Sequence, residues 1–178
     1  MQLAVGQKVS YPNQGVCLVE EHKNRTFGAH SMSGYFLRVL GDNSTIFVPD
    51  ESANSVGLRP LISRSQCRKL IDKLSEDFEP ASGDWKSRAK DFTEKLRSGD
   101  VFLVADVFKM LTYLSHEKKL SFREQTLLER SKFLIVSEIS NTCARKDIPL
   151  ESDIVAMVEN ACNTHGYTDA KAMSALVH

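Results

Sequence analysis

A single tryptophan, Trp85, is followed at once by basic side chains. Lys86, Arg88 and Lys90 lie within five residues of it, and the segment 86–97 contains five basic residues against two acidic ones. Cations of this kind contact backbone phosphates, and an aromatic ring beside them can stack on or wedge against an unstacked base. The pattern therefore indicates a nucleic-acid contact. The alternative is that Trp85 is a core residue, because it shares a helical stripe with later apolar residues.

A second candidate surface combines an arginine with aromatic residues in the first third of the chain. Arg25 and Phe27 precede a turn-rich segment, and Phe47 stands between Ile46 and Val48. Successive side chains of a strand point to opposite faces, so Phe47 faces outward if Ile46 and Val48 fill the core. An exposed aromatic ring on a small β domain is typical of a partner-binding surface. The alternative is that a second sheet layer or the helical part of the chain covers Phe47.

The sequence contains none of the motifs that would indicate catalysis or a metal site. It has no phosphate-binding loop, no dinucleotide-binding glycine pattern, no nucleophile elbow and no HExxH. Its four cysteines are scattered without a CxxC pair, which is typical of reduced, structural thiols. We therefore expect no enzymatic activity, no cofactor and no metal. A hydrolase with an unrecognised site is a remote alternative.

Charge and hydropathy restrict the class of protein. The 178 residues contain 23 basic and 23 acidic side chains, and 42% are hydrophobic. This composition excludes a strongly basic nucleic-acid binder and global disorder, but not a local basic segment. The sequence has neither an apolar run long enough to span a bilayer nor a signal-peptide pattern, so we expect a cytoplasmic protein without membrane contact.

The elements that must position these side chains change in character at Pro60. Before it, short runs rich in β-branched and aromatic residues are separated by turn residues, which is the pattern of short strands. The predicted strands are 9–11, 16–20, 35–40, 45–48 and 56–59. Five short strands at this spacing are typical of a strongly bent barrel of the Tudor or SH3 type.

After Pro60 the apolar residues recur at helical spacing, and capping residues predict where each helix begins. The predicted N-terminal caps are Ser63, Asp84, Asp100 and Ser121. Pro149 is predicted in the first turn of a fifth helix ending near Asn163, and Thr168 as the cap of a short last one. The predicted fold class is α+β, with a small Tudor/SH3-like β-barrel over residues 1–60 and a compact all-helical domain over 61–178.

Four strings, in the same order along the chain, resemble the CarD/CdnL family of bacterial transcription regulators. They are VSYPNQGV (9–16), VP with VGLRP (48–60), WKSR with EKLRSGDV (85–101) and LSFRE (120–124). Each string alone is a weak signal, but four in register are specific. The resemblance runs from about Val5 to Ile139, which is most of the chain.

The resemblance implies a Tudor-like domain that docks on the β subunit of RNA polymerase and a helical domain that touches promoter DNA at the upstream edge of the melted bubble. It implies that Trp85 wedges into the minor groove there. The basic residues beside it, which would contact the DNA backbone, are Lys86, Arg88 and Lys90. The positions that match the family's polymerase-binding residues are Arg25, Phe27 and Phe47.

The predicted function is therefore that of a non-enzymatic regulator that stabilises the open promoter complex. Its predicted partners are the polymerase β subunit and promoter DNA, the latter contacted largely without sequence specificity. We expect a monomer that is associated with the nucleoid through RNA polymerase. A protein–protein adaptor without DNA contact is the alternative function. Residues 164–178 extend beyond the usual end of the family and have no predicted role.

Overall fold

The computed structural model describes residues 2–27, 30–78, 84–142, 149 and 151–175, but not the side chains of Phe27, His30, Trp85 and 166–175. In the described chain, a β sheet is followed by helices. The strands are β1 (Lys8–Tyr11), β2 (Gly15–Phe27), β3 (His30–Val39), β4 (Thr45–Pro49) and β5 (Arg59–Pro60). The helices are α1 (Arg64–Ser75), α2 (Trp85–Ser98), α3 (Val101–Glu117), α4 (Phe122–Thr142) and α5 (Glu151–Ala175). The α+β fold class is confirmed.

The five strands form one antiparallel sheet in the order β4-β3-β2-β1-β5. A bulge between Val19 and Glu21 bends β2, which strengthens the local twist of the sheet. The core of the sheet lies on its inner face and includes the buried side chains of Val9, Leu37 and Val48. We call residues 2–60 the sheet region and residues 61–175 the helical region.

The strands differ from their predicted bounds in two places. β2 and β3 reach Phe27 and His30, beyond the predicted ends, because they pair with each other along a long hairpin whose polar residues gave no strand signal. The fifth strand is Arg59–Pro60 rather than 56–59, because the Val56 and Gly57 amides donate to Ser52 and Asn54 in turns.

The predicted helix starts are confirmed by their caps. Ser63 and Gln66 form a reciprocal capping box, and Ser121 and Glu124 form a second one. The Asp84 carboxylate accepts hydrogen bonds from the Lys86 and Ser87 amides at the start of α2. At the end of α2, Gly99 has φ 76°, the left-handed conformation that glycine adopts most readily. The Asp100 carboxylate then accepts from the Phe102 amide and caps α3.

The prediction for the last helix is wrong. α5 starts at Glu151, two residues after Pro149, and continues without a break to Ala175. No new helix begins at Thr168. The Thr164 hydroxyl donates to the Asn160 carbonyl, a bond that satisfies a hydroxyl inside a continuous helix. Polar residues that favour a cap in the sequence are therefore accommodated within α5.

The helical region has a core to which all five described helices contribute, α2 through Leu96 alone, and a second cluster between α2 and α3. Ala89, Phe92 and Leu96 are the buried stripe of α2. None of the described helices is long and apolar enough to cross a membrane.

A buried ion pair joins the sheet region to the helical region, and we call it the Glu138 joint. The Glu138 side chain in α4 is 3% exposed and accepts hydrogen bonds from the two terminal guanidinium nitrogens of Arg59, at 2.6 and 2.9 Å. It also accepts from the Ile62 amide at 3.0 Å and the Ser10 hydroxyl at 3.2 Å. Arg59 Nε donates to the Gly99 carbonyl at 2.8 Å. One bidentate pair thereby fixes β1 and β5 against α4 and against the end of α2.

Candidate interaction surfaces

Arg25 and Phe47 lie together on the outer face of the sheet. The guanidinium carbon of Arg25 is 5.6 Å from the centroid of the Phe47 ring. Phe47 pairs across the strands with Phe36, and their rings are 4.9 Å apart and tilted by 50°. Val48 is 2% exposed on the opposite face, so the alternation places Phe47 outside the sheet core. Phe47 is half-buried there, against Phe36 and Arg25.

Lys23 extends this cluster along the same face of β2. Its ammonium lies 4.8 Å from the centroid of the Phe36 ring and forms an ion pair with Glu21. Two cations thus lie over two neighbouring rings, an arrangement that favours both cation–π attraction and a fixed side-chain geometry. We call Lys23, Arg25, Phe36 and Phe47 the outer aromatic surface.

Gly34 allows the Phe47 ring to lie over β3. A Cβ atom at position 34 would stand 2.5 Å from the Val48 carbonyl oxygen and 2.7 Å from the Phe47 ring. Neither distance is tolerated between real atoms, so a side chain here would displace Phe47. The glycine is therefore part of how the surface is built.

The sequence indicated Arg25 and Phe47 as members of this surface, but not Phe36 and Lys23. A signal was present: Lys23, Arg25 and Phe27 alternate along one strand, which puts them on one face. Recognising Phe36 required the register of β3 with β4. The side chain of Phe27 lies outside the described residues, and its backbone ends β2.

The basic residues near the start of α2 lie on two different faces of the helix. Lys86 and Lys90 are one turn apart and exposed, while Arg88 is half-buried. Arg88 lies about 200° around the helix from each of these lysines. Lys90 is paired with Glu94 at 3.8 Å, and both side chains are largely exposed, so this pair is weak. The helix therefore brings Lys86 and Lys90 together but not Arg88.

Trp85 is the first residue of α2, directly after its Asp84 cap. Its side chain lies outside the described residues, so the prediction of a wedge stays a prediction. Position 85 is one turn before Ala89, the first member of the buried stripe of α2. The Asp84 carboxylate already accepts from the Lys86 and Ser87 amides, so an anion at this helix start would be attracted by the exposed side chains of Lys86 and Lys90.

The described residues show no cluster of metal ligands, and burial moves two of their thiols away from reactivity. Among them, no three His, Cys, Asp or Glu side chains are grouped to hold a metal ion. Burial raises the pKa of the Cys17 thiol to about 11, with the Asp42 carboxylate adding to the effect. Burial likewise raises the pKa of Cys162 to about 11. Thiols in this state are unreactive structural groups.

Family models match both regions of the chain. The CarD-like/TRCF RID domain matches residues 3–62, and the CarD C-terminal domain matches residues 69–150. The first is an RNA polymerase-interacting type of domain. RNA polymerase is therefore a supported partner of the sheet region.

The chain is also similar to a curated relative and to a solved domain. The chain is 23% identical over 135 residues to a putative transcription factor, YdeB, of Bacillus subtilis (strain 168), covering 76% of this chain and 88% of the relative. It is 34% identical to the 72-residue N-terminal domain of Myxococcus xanthus CarD, solved by NMR, covering 33% of this chain and 79% of that domain with a TM-score of 0.29. Members of this group are transcription factors and not enzymes. The chain belongs to the CarD/CdnL family of transcription regulators.

Proposed function

We propose that the protein docks on the β subunit of RNA polymerase through the outer aromatic surface and stabilises the open promoter complex through the start of α2. The observation that carries the proposal is the assembly of Arg25 and Phe47 on one face of a polymerase-interacting type of domain. In this proposal, residues 1–60 are the docking domain and residues 61–178 the DNA-contacting domain. The protein would act as a cytoplasmic monomer that reaches the nucleoid through polymerase.

The outer aromatic surface has the composition of an interface hot spot. Arginine and aromatic side chains dominate the binding energy of many protein interfaces. Here the two rings are held by each other and by the cations above them, so little side-chain freedom would be lost on binding. The cations favour an acidic or carbonyl-rich partner surface.

The start of α2 would contact the DNA. Lys86 and Lys90 would hold phosphates, and Trp85 would wedge against bases at the upstream edge of the bubble and oppose their re-annealing. The formal net charge of the chain is zero, so its affinity for DNA alone would be weak. Docking on polymerase would raise the effective concentration of α2 at the bubble and so make a weak contact sufficient.

The Glu138 joint is consistent with a sheet region that docks and an α2 that contacts DNA. Arg59 connects Glu138 of α4 to the Gly99 carbonyl at the end of α2. A docked sheet region would therefore present α2 in a fixed direction, which lowers the entropy lost when the DNA contact forms.

Binding to a purified β-subunit fragment tests the docking surface. We expect Arg25→Glu and Phe47→Glu each to weaken binding by at least about 2 kcal/mol, roughly thirty-fold, because each places a charge at a hot spot. Arg64→Glu is the matched control, since it reverses an exposed charge at the start of α1. Unchanged affinity in both folded variants would move the interface elsewhere.

The burial of the α2 stripe favours a second candidate, a protein–protein adaptor without DNA contact. Ala89, Phe92 and Leu96 are buried, and position 85 belongs to the same stripe. In the adaptor, Trp85 would be a core residue with blue-shifted fluorescence protected from quenchers. In the proposed regulator its emission is red-shifted and accessible.

A further inference from the structure

We propose that His165 of α5 is a positioning residue for the DNA-contacting start of α2, acting through a cluster at the end of α1. This inference rests on the proposed function. The cluster, which we call the clasp, consists of Asp77, Phe78, Lys109, Tyr113 and His165. Asp77 and Phe78 are the last described residues before the connection to α2.

His165 holds the chain at the exit of α1. Its side chain is 8% exposed, and Nδ1 donates to a carboxylate oxygen of Asp77 at 2.6 Å. Because a carboxylate only accepts hydrogen bonds, Nδ1 carries the proton. The imidazole also stacks on Phe78, with centroids 4.9 Å apart, and meets Tyr113 edge-on at 5.4 Å. The hydrogen bond with Asp77 and the ring contact with Phe78 therefore attach α5 to residues 77–78, and the contact with Tyr113 attaches it to α3.

Lys109 of α3 also binds the end of α1. The Lys109 residue in α3 is 2% exposed, and its ammonium donates to the carbonyls of Lys73, at 2.6 Å, and Glu76. These are terminal carbonyls of α1, where a cation is favoured. The ammonium is also 5.3 Å from the Phe78 ring centroid. Burying a lysine is costly unless it is fully satisfied, and here its partners all belong to the end of α1.

The clasp contacts α2 through Phe78. This ring packs against the cluster that includes Phe92 of α2 and Val107, Met110 and Leu111 of α3. Phe78 and Phe92 also line the same cleft. From Phe78 to Trp85 the chain advances seven residues, a span of at most about 25 Å. His165 is therefore connected to the start of α2 by packing and by a short tether.

His165 lies outside the residues matched by either family model, 3–62 and 69–150. The clasp thus joins the distal half of α5 to a region that the models match. This gives residues beyond the family's usual end a defined role in presenting α2.

The test is the environment of Trp85, which is the only tryptophan and reports on the start of α2 directly. We expect His165→Ala to change the emission and quencher accessibility of Trp85 in the full-length protein, well below its melting temperature. The variant should also shorten the open-complex lifetime about two- to thirty-fold, the range seen for residues that act through others. Affinity for the β fragment should be unchanged.

Two controls separate positioning from general stability. Asn163→Ala removes an exposed side chain on the same helix and should change none of these readouts. Asp77→Asn retains an oxygen that accepts from His165, whereas Asp77→Ala does not. We therefore expect the asparagine variant to match the wild type, and the alanine variant to move the same readouts in the same direction as His165→Ala but by less, because the ring contacts of His165 remain.

The outcomes are distinguishable. Wild-type Trp85 fluorescence in a folded His165→Ala variant, or identical behaviour of the two Asp77 variants, would overturn the clasp. If His165→Ala does not fold, the Asp77 pair decides, because that side chain is 66% exposed and its loss leaves the core intact. If the wild type fails to lengthen the open-complex lifetime, the proposed function fails while the fluorescence comparison still tests the clasp.

Discussion

The outer aromatic surface and the start of α2 both combine aromatic and basic residues, but the fold assembles them differently. Three strands contribute to the outer aromatic surface, and the register of β2, β3 and β4 brings its members together. The start of α2 is one continuous segment, in which Trp85 and Lys86 are neighbours in the chain. One surface is a product of tertiary structure, and the other is a product of helical spacing.

In the proposed function, this difference corresponds to two kinds of target. A protein partner requires a fixed shape, and the tilted pair of rings of Phe36 and Phe47 with cations above them provides one. A phosphate backbone requires only positive charge at a suitable spacing, and the exposed Lys86 and Lys90 provide that without a rigid setting. The fixed geometry thus lies on the surface that would need specificity, and the Glu138 joint connects the sheet region that carries it to the helical region.

The largest expected effect is the loss of that connection. We expect Glu138→Ala to lower the free energy of unfolding by about 3–5 kcal/mol, because Arg59 would remain partly buried without its partner. Urea denaturation measures this. The control, Glu129→Ala, removes an exposed carboxylate from the same helix and should change stability by no more than about 0.5 kcal/mol. Equal stabilities of the two variants would show that the joint contributes nothing.

The salt dependence of promoter binding sharpens the account of α2. Each phosphate contact that is lost should reduce the log–log salt slope of the polymerase–promoter assembly by about 0.9. We expect the Lys86→Ala, Lys90→Ala double variant to show most of the reduction in salt slope that the triple variant with Arg88→Ala shows. The reason is that Arg88 lies on another face of the helix. The loss should be uniform across promoters, since phosphates carry no base information. An unchanged slope in the triple variant would mean that these cations do not touch phosphate.

The smallest expected effect is a pH dependence confined to the helical region. Burial pushes the pKa of Glu124 upward, but hydrogen bonds from Lys118 and from the Ser121 amide and hydroxyl outweigh it and hold the pKa at about 2. A carboxyl whose pKa is lower in the folded state stabilises that state at pH values above its unfolded pKa, which is near 4.5. This contribution is lost as the pH falls toward 2.

Stability measured from pH 7 down to pH 3 checks this effect. Glu124→Gln should be less stable than the wild type at pH 7, and the difference should shrink as the pH falls below about 4.5. The outer aromatic surface, probed by binding to the β fragment at neutral pH, should be unaffected. A stability difference between the two proteins that stays constant across the whole pH range would show that the charge of Glu124 does not contribute to stability.

Local signals were readable from the sequence, and long-range ones were not. The caps at Ser63, Asp84, Asp100 and Ser121 were predicted because each involves residues within three positions. Glu138 was missed because its partner Arg59 is 79 residues away and nothing local marks a buried carboxylate. Phe36 was missed for the same reason, since only strand register places it beside Phe47.

In α5 a local signal gave a wrong prediction, because the tertiary structure does not follow it. Thr168 carries the chemistry of a cap, but α5 continues through it. Ile154, Val158 and Cys162 bury one face of this helix in the shared core, and His165 continues the attachment. Tertiary packing of the helix outweighs the capping preference of a single residue.

The lifetime of the open promoter complex, measured by competitor challenge at saturating protein, tests the central claim most directly. We predict that the wild type lengthens this lifetime and that Trp85→Ala shortens it about five- to hundred-fold while binding to the β fragment stays intact, as expected for losing about 1–3 kcal/mol of stacking. An unchanged lifetime with folded Trp85→Ala would contradict the account. So would unfolding of that variant with a core-sized loss of about 3–5 kcal/mol, because Trp85 would then be a core residue.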